Sequence, residues 1–518
     1  MAGTGTTTVQ TTYGEVSGLI EGDIARFLGI PYAAAPTGAN RFAPPVPPEP
    51  WEGVRPAHEF GPRAPRPVGG PYDALLGGRE PVDSEEGWLN LNVWAPANVP
   101  VFLPVMVWIH GGAFLRGSSA GTAYDGAGFA RDGVVCVSVN YRLGVEGFGY
   151  IADAPAPANR GLLDLIFALE WVRENIAQFG GDPGNVTLVG ESAGAMSILT
   201  LLSTDRGLCH KAIVQSGSAH ATQSTDDAEL VIKEIAKELG VTANYEALSQ
   251  VAPSDIVTAQ TTVHERIVQS ADPHKYGRST IDSCGMSLMP VIDGELLTRR
   301  PIDAIAFDGA GGDIPLLIGT NTEEHRYFAL SAPSDTTPQA WKERLAVYGV
   351  PDSGDLYDQY ASRATRAYPR ESPAEVFAAV MTDRLFRIPS YRVAEARAGA
   401  GGGAATYVYE FGWRTPKART GSAALGACHV AEIPFVWQTL EAPGVDELLT
   451  DPPQDLAEAM HSAWIEFMRT GELAQWSHYN TAERPVMTFH RDNKPVNETV
   501  PDPRSDERKL WDGALDPE

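Results

Sequence analysis

Asn185-Val186-Thr187-Leu188-Val189-Gly190-Glu191-Ser192-Ala193-Gly194-Ala195-Met196-Ser197-Ile198-Leu199 passes from one kind of backbone to another. Val186–Val189 is a short apolar, β-branched run, as expected of a strand buried on both faces. Ala195–Leu202 (AMSILTLL) reads as a helix. Between them, Gly190-Glu191-Ser192-Ala193-Gly194 forms a sharp turn that leaves the serine oxygen exposed, and its glycines let the backbone pass close by. A serine hydroxyl is a poor nucleophile until a neighbouring base removes its proton. A bare G-x-S-x-G is weak evidence, but strand before and helix after are the context the motif demands. The N–H of Ala193, next after Ser192, is placed to donate to a developing oxyanion.

Working outward, Gly161–Phe179 carries Leu162, Ile166, Leu169, Val172 and Ile176 at helical spacing, then stops at Gly180-Gly181-Asp182-Pro183. Residues 101–109 and 134–140 read as buried strands, and Pro315–Gly319 and Thr406–Glu410 as later ones. Strand and helix in alternation predict an α/β fold with a large, mostly parallel central sheet flanked by helices. Residues 331–400 show helical patterning and little strand signal, so a mainly helical lid or side subdomain is expected there. Ala400–Ala405 reads as a flexible loop within one catalytic unit spanning residues 1–518.

Acyl transfer needs donors for the negative charge that develops on the carbonyl oxygen. His110-Gly111-Gly112-Ala113-Phe114 follows the strand ending at Ile109, and its small residues leave the N–H groups of Gly112 and Ala113 free to point inward. The other reading of this segment is a tight turn after a buried strand.

With these motifs the chain resembles the type B carboxylesterases, an α/β-hydrolase family that includes the para-nitrobenzyl esterases and the cholinesterases. The likeness runs through Phe27–Ala33, Arg41-Phe42, Trp51–Val54, Leu91–Trp94, Asn140–Gly144, Gln215–Ser218, Trp464–Gly471 and Arg508–Trp511. It implies a serine carboxylesterase that forms an acyl-enzyme on Ser192 and needs no cofactor or metal. The acid is implied at Glu324 within Gly319-Thr320-Asn321-Thr322-Glu323-Glu324-His325, with Glu323 as its rival, and the base at His429 within Gly426–Ile433. His325 replaces the family's usual glycine and is expected to be a solvated surface imidazole; Arg326 could face a substrate carboxylate, but exposed charge is its more usual fate. Glu191, Ser216 and Glu432 match positions around the catalytic histidine and any cationic substrate group, and Phe114, Tyr327 and Phe328 match pocket walls, with core packing as the alternative. Cys428 reads as a small packed side chain. Carbamate or amide cleavage would use the same machinery. A non-catalytic interaction protein on this fold is disfavoured by the retained triad.

The resemblance implies a small-molecule ester as substrate, and bulk properties argue against nucleic acid and membrane as partners. Forty basic against 66 acidic side chains give a net charge of −26, which repels phosphate backbones and anionic membranes alike. The N-terminal residues show no basic region followed by an apolar stretch, and the apolar run at 101–109 is far short of the about 20 residues a bilayer requires. Four scattered cysteines fit neither a disulfide framework nor a zinc site. Ala64 and Trp88 stand where related eukaryotic enzymes have a cysteine pair, and residues 63–83 are rich in Pro and Gly, so choline recognition is not implied. A cytoplasmic protein of bacterial type is expected; no heptad or large apolar face marks an oligomer interface.

Overall fold

Val105, Val107 and Ile109 belong to one apolar cluster, while Met106 and Trp108, between them in sequence, belong to another. Successive residues of a strand point to opposite faces, so this strand is closed on both sides. The computed structural model describes residues 5–69, 87–98, 102–284, 286–330, 336–363, 369–399, 403–418, 423–490 and 493–518. Its main sheet contains, in chain order, β1 (Gly5–Thr11), β2 (Gly14–Glu21), β3 (Ile24–Pro31), β4 (Val54–Pro56), β5 (Asn90–Pro96), β6 (Leu103–Ile109) and β7 (Val135–Val139). These are followed by β8 (Gly181–Glu191), β9 (Lys211–Gln215), β10 (Leu316–Asn321), β11 (Thr406–Phe411), β12 (Pro485–Phe489) and β13 (Asn497–Pro501). The spatial order is β1-β2-β3-β5-β7-β6-β8-β9-β10-β11-β12-β13, with β4 paired to β2. From β7 through β12 every neighbouring pair is parallel, while the pairs at both ends are antiparallel except β2–β4, which is parallel.

The expected strands are present with shifted ends. Pro104 has no N–H to give the ladder, and the β6–β8 register slips between Leu103 and Val105 before settling at Val105↔Val186. β8 begins at Gly181, inside the stop signal read at 180–183 and ahead of the expected Val186–Val189 strand. The helix read at 161–179 is α1 (Arg160–Asn175) followed by a tighter turn at Ile176–Phe179, which ends at Gly180 with φ 84°. α1 lays Leu162, Leu165 and Leu169 on one face of the sheet, whereas α3 (Gln454–Thr470) lays Leu456, Met460 and Trp464 on the other. α2 (Ala193–Leu202) follows β8 directly and is buried throughout.

Within 331–400 lie helices at Pro338–Val347, Ser353–Ser362, Pro373–Thr382 and Ile388–Gly399, while 331–335, 364–368 and 400 fall outside the described residues. So do 70–83 of the Pro- and Gly-rich segment and residues 401–402 of the expected flexible loop. A second helical set, from Thr225 to Asp282, precedes them and was not expected. Trp511, near the end of the chain, is buried: its indole donates to Tyr360 Oη at 2.9 Å, and its carbonyl accepts from Arg392 at 2.6 Å.

The loop after β7 is held by a buried ion pair. Arg142 grips Asp164 of α1 with two guanidinium bonds of 2.7 and 2.8 Å, and both side chains are almost wholly buried. A buried charge stripped of its partner costs about 3–5 kcal/mol. Asp164→Ala should lose about that much stability in urea unfolding; a loss below about 1 kcal/mol would show that water reaches the Arg142 guanidinium.

Candidate active site

Ser192 sits between β8 and α2 at φ 54° and ψ −125°, a backbone conformation most side chains avoid. The turn is tight enough that a Cβ on Gly194 would stand 1.9 Å from Ile109 O. The Ser192 N–H donates to Gln215 O at 2.9 Å, tying the turn to the end of β9. From Val186 to Leu202, Ser192 alone is not buried. The sequence-predicted turn therefore leaves its serine partly accessible while its chain neighbours are buried.

His429 is brought to this point from the far end of the chain. Its Nδ1 lies 2.6 Å from Glu324 Oε2, so Nδ1 carries the proton in that bond, and its own N–H donates to Glu324 O at 3.1 Å. Its Nε2 lies 3.1 Å from Oε1 of Glu191, the residue adjoining Ser192. The remaining Glu324 oxygen accepts from Ser216 Oγ at 2.5 Å and from the Asn321 N–H at 2.8 Å. Glu323 points elsewhere. It meets Arg414 at 2.6 Å and Arg326 at 3.3 Å, and accepts from the Ala427 N–H.

Glu432 approaches without touching the imidazole, accepting instead from Gln215 at 3.0 Å and Asn321 at 2.6 Å. Ser216 likewise bonds Glu324 and not the ring, so both residues lie around His429 and reach it through intermediaries. Burial pushes the Glu191 carboxyl well above its ordinary range; His429 pulls it back toward the charged form, and the nearby Glu432 and Glu324 push it up again. Burial alone would lower His429, but Glu191 and then Glu324 outweigh it and raise the imidazole to about 9.

Opposite the serine, Gly112 and Ala113 are partly accessible, with φ 115° and 53°. The N–H groups of Gly112, Ala113 and Ala193 donate to no acceptor among the described residues. A carbonyl oxygen brought to Ser192 could receive them.

Several expected wall residues lie elsewhere. Phe114 is fully buried against Phe148, with centroids 4.7 Å apart, and Tyr327 is packed within the second apolar cluster, so both belong to the core. Phe328 is the exposed member, 41% accessible, with its ring 5.6 Å from His429. His325 is not a solvated imidazole: it packs between Phe328 and Phe377, and burial, with Arg344 and His429, lowers it to about 3. Arg326 is buried and committed to Glu375 at 2.7 Å as well as Glu323, so it faces no substrate. Long charged side chains find buried partners from distant helices, which local sequence does not announce. Asn321, Gln215 and Phe386, whose ring lies 4.8 Å from His429, were not anticipated. Asn321 was open to reading, because it sits inside the segment that supplied Glu324. Cys428 is a packed, buried thiol, as expected.

The sequence profile described as "Carboxylesterase family" matches residues 5–507. The chain belongs to the carboxylesterase family. It is a carboxylic ester hydrolase with the α/β-hydrolase fold. This carboxylesterase is 35% identical to the para-nitrobenzyl esterase of Bacillus subtilis (strain 168), covering 97% of each chain. It is 34% identical to the phenmedipham hydrolase of Pseudarthrobacter oxydans, over 89% of this chain and 90% of that one. Among solved structures, a Geobacillus stearothermophilus carboxylesterase crystallised at pH 6.2 superposes with a TM-score of 0.82 at 35% identity, covering 98% of this chain and 100% of the other. Among the described residues, no helix is long and apolar enough to cross a membrane.

An imidazole accepts a proton only when neutral, so the raised value of about 9 makes the proton-accepting form of His429 appear as pH rises through that range. The acid limb of kcat/KM should lie near pH 9. Glu191→Gln removes the leading cause of the rise and should move the limb down by at least about one unit, toward the ordinary histidine value of about 6.5. A limb already near pH 6.5 in the wild type, unmoved in the variant, would contradict this electrostatic account.

Proposed function

We propose that Ser192 is the nucleophile of a two-step ester hydrolysis, with His429 as its general base and Glu324 as the acid that orients the ring. One observation carries this reading: the His429 imidazole lies between Glu324, at 2.6 Å from Nδ1, and Glu191, the residue adjoining the partly accessible serine of the turn, at 3.1 Å from Nε2. Glu324 fixes the tautomer so that Nε2 is the nitrogen left to accept a proton. In this cycle Ser192 Oγ and Nε2 come into hydrogen-bond contact as substrate binds, since catalytic hydrogen bonds are often completed only in the substrate complex. Ser192 Oγ then attacks the ester carbonyl while His429 takes its proton, and Gly112, Ala113 and Ala193 donate to the oxyanion. His429 returns the proton to the departing alcohol, and a water activated by the same ring releases the acid.

The helices between Pro338 and Gly399 are assigned as a side subdomain bordering the site, within one catalytic unit. Support comes from Phe377 packed on His325 and from the His325 N–H, which donates to Thr382 Oγ1 at 3.0 Å. A cytoplasmic, bacterial-type setting is supported by Cys136, Cys209, Cys284 and Cys428, all free thiols. The substrate is a small ester, and the net charge of −26 argues against nucleic acid as a partner.

Ser192→Ala should lower kcat on a para-nitrophenyl ester by about 10⁴-fold or more, while the melting temperature stays close to that of the parent. Undiminished turnover by the purified variant would overturn the assignment.

A further inference from the structure

The peptide unit joining Gly111 to Gly112 lies against the nucleophile, since a Cβ on Gly111 would stand 2.9 Å from Ser192 Cβ. In a planar trans peptide, the Gly111 carbonyl and the Gly112 N–H point in opposite directions, so fixing one aims the other. That carbonyl is held by a side chain. His110 Nδ1 lies 2.8 Å from Gly111 O, and because a carbonyl only accepts, Nδ1 carries the proton.

The ring that holds it is itself held. His110 is buried and stacks on Tyr141, with centroids 4.6 Å apart and planes 23° apart, and the Tyr141 hydroxyl donates to His110 O at 2.7 Å. Burial pushes the His110 imidazole down to about 4, so near neutral pH the ring has a single N–H, committed to this carbonyl. Gly117 covers the same bond from the other side, at φ 98°. A Cβ there would stand 2.3 Å from Gly111 O and 2.4 Å from His110 Nδ1.

We propose that His110 is a positioning residue for the oxyanion site: by binding the Gly111 carbonyl, it aims and polarises the Gly112 N–H toward the reacting ester. Hydrogen bonding at one end of an amide strengthens donation at the other. The proposal rests on the assignment of Ser192 as nucleophile and names a residue outside the triad that sets the strength of one oxyanion donor.

His110→Phe keeps a ring over Tyr141 and removes the donor, whereas His110→Asn returns an amide N–H near the place of Nδ1. Because losing an oxyanion donor outright costs about 10²–10³ in rate, misaiming one should lower kcat about 10- to 100-fold in His110→Phe, with KM within about threefold. Affinity for a trifluoromethyl ketone, whose adduct places an oxyanion at the same point, should weaken by a similar factor. His110→Asn should recover both quantities to within about fivefold of the parent. Parental kcat and ketone affinity in His110→Phe would overturn the proposal, and so would equal losses in both variants, which would assign the effect to packing. If His110→Phe does not fold, Gly117→Ala crowds the same bond and decides: a fall in kcat with KM retained supports the proposal, and an unchanged kcat overturns it. Mass-spectrometric location of a fluorophosphonate adduct tests Ser192 independently of all three variants.

Discussion

Three carboxyl groups, Glu191, Glu324 and Glu432, share one buried volume with a single imidazole. Such a concentration of acid is costly to bury: the oxygens of Glu324 and Glu432 are answered by hydrogen bonds from separate parts of the chain, whereas neither Glu191 oxygen receives one among the described residues. Glu324 draws on Ser216 after β9, on Asn321 at the end of β10 and on His429. Glu432 draws on Gln215 and again on Asn321. Satisfying the acids therefore ties two strand ends and the 426–433 loop into one rigid frame. Glu191 is left with His429 alone, which makes the imidazole the counter-charge for the whole group.

The parallel sheet determines where this frame can form. β6, β8, β9 and β10 run in the same direction, so their carboxyl ends gather along one edge, the usual binding edge of open α/β sheets. The segment 110–113, Ser192, Ser216 and Glu324 all follow those ends. The buried Arg142–Asp164 pair has its place in the same scheme, because it anchors the loop that presents Tyr141 to His110.

Much of this was legible in the sequence, and the gaps have physical causes. The β8–α2 turn was readable because a change of hydrophobic period and two close-packed glycines are local signals. The choice between Glu323 and Glu324 was not local, since adjacent acids are chemically alike. The fold separates them by direction, one toward Arg414 and Arg326 and the other toward His429. Arg326 and His325 were misread for a related reason: the groups that enclose them, Glu375 and Phe377, lie on a helix that the local sequence does not connect to them. The outer strands β1 and β2 escaped notice because β1 is mostly exposed and polar and β2 is only partly buried, neither with the continuous apolar run that marked β6 and β7.

The burial of Trp511 bears on how this chain is made. Tyr360 and the carbonyl-seeking guanidinium of Arg392 receive their partners from the last residues of the sequence, and Glu507 supplies the carboxylate for Arg370. During synthesis, which adds about 5–20 residues per second, these groups wait for partners that are still unmade or still inside the ribosomal tunnel. The helices from Ser353 to Gly399 thus cannot reach their final packing until residues 507–511 have been made and have left the ribosome, and until then this flank keeps buried donors and acceptors waiting for partners more than a hundred residues downstream.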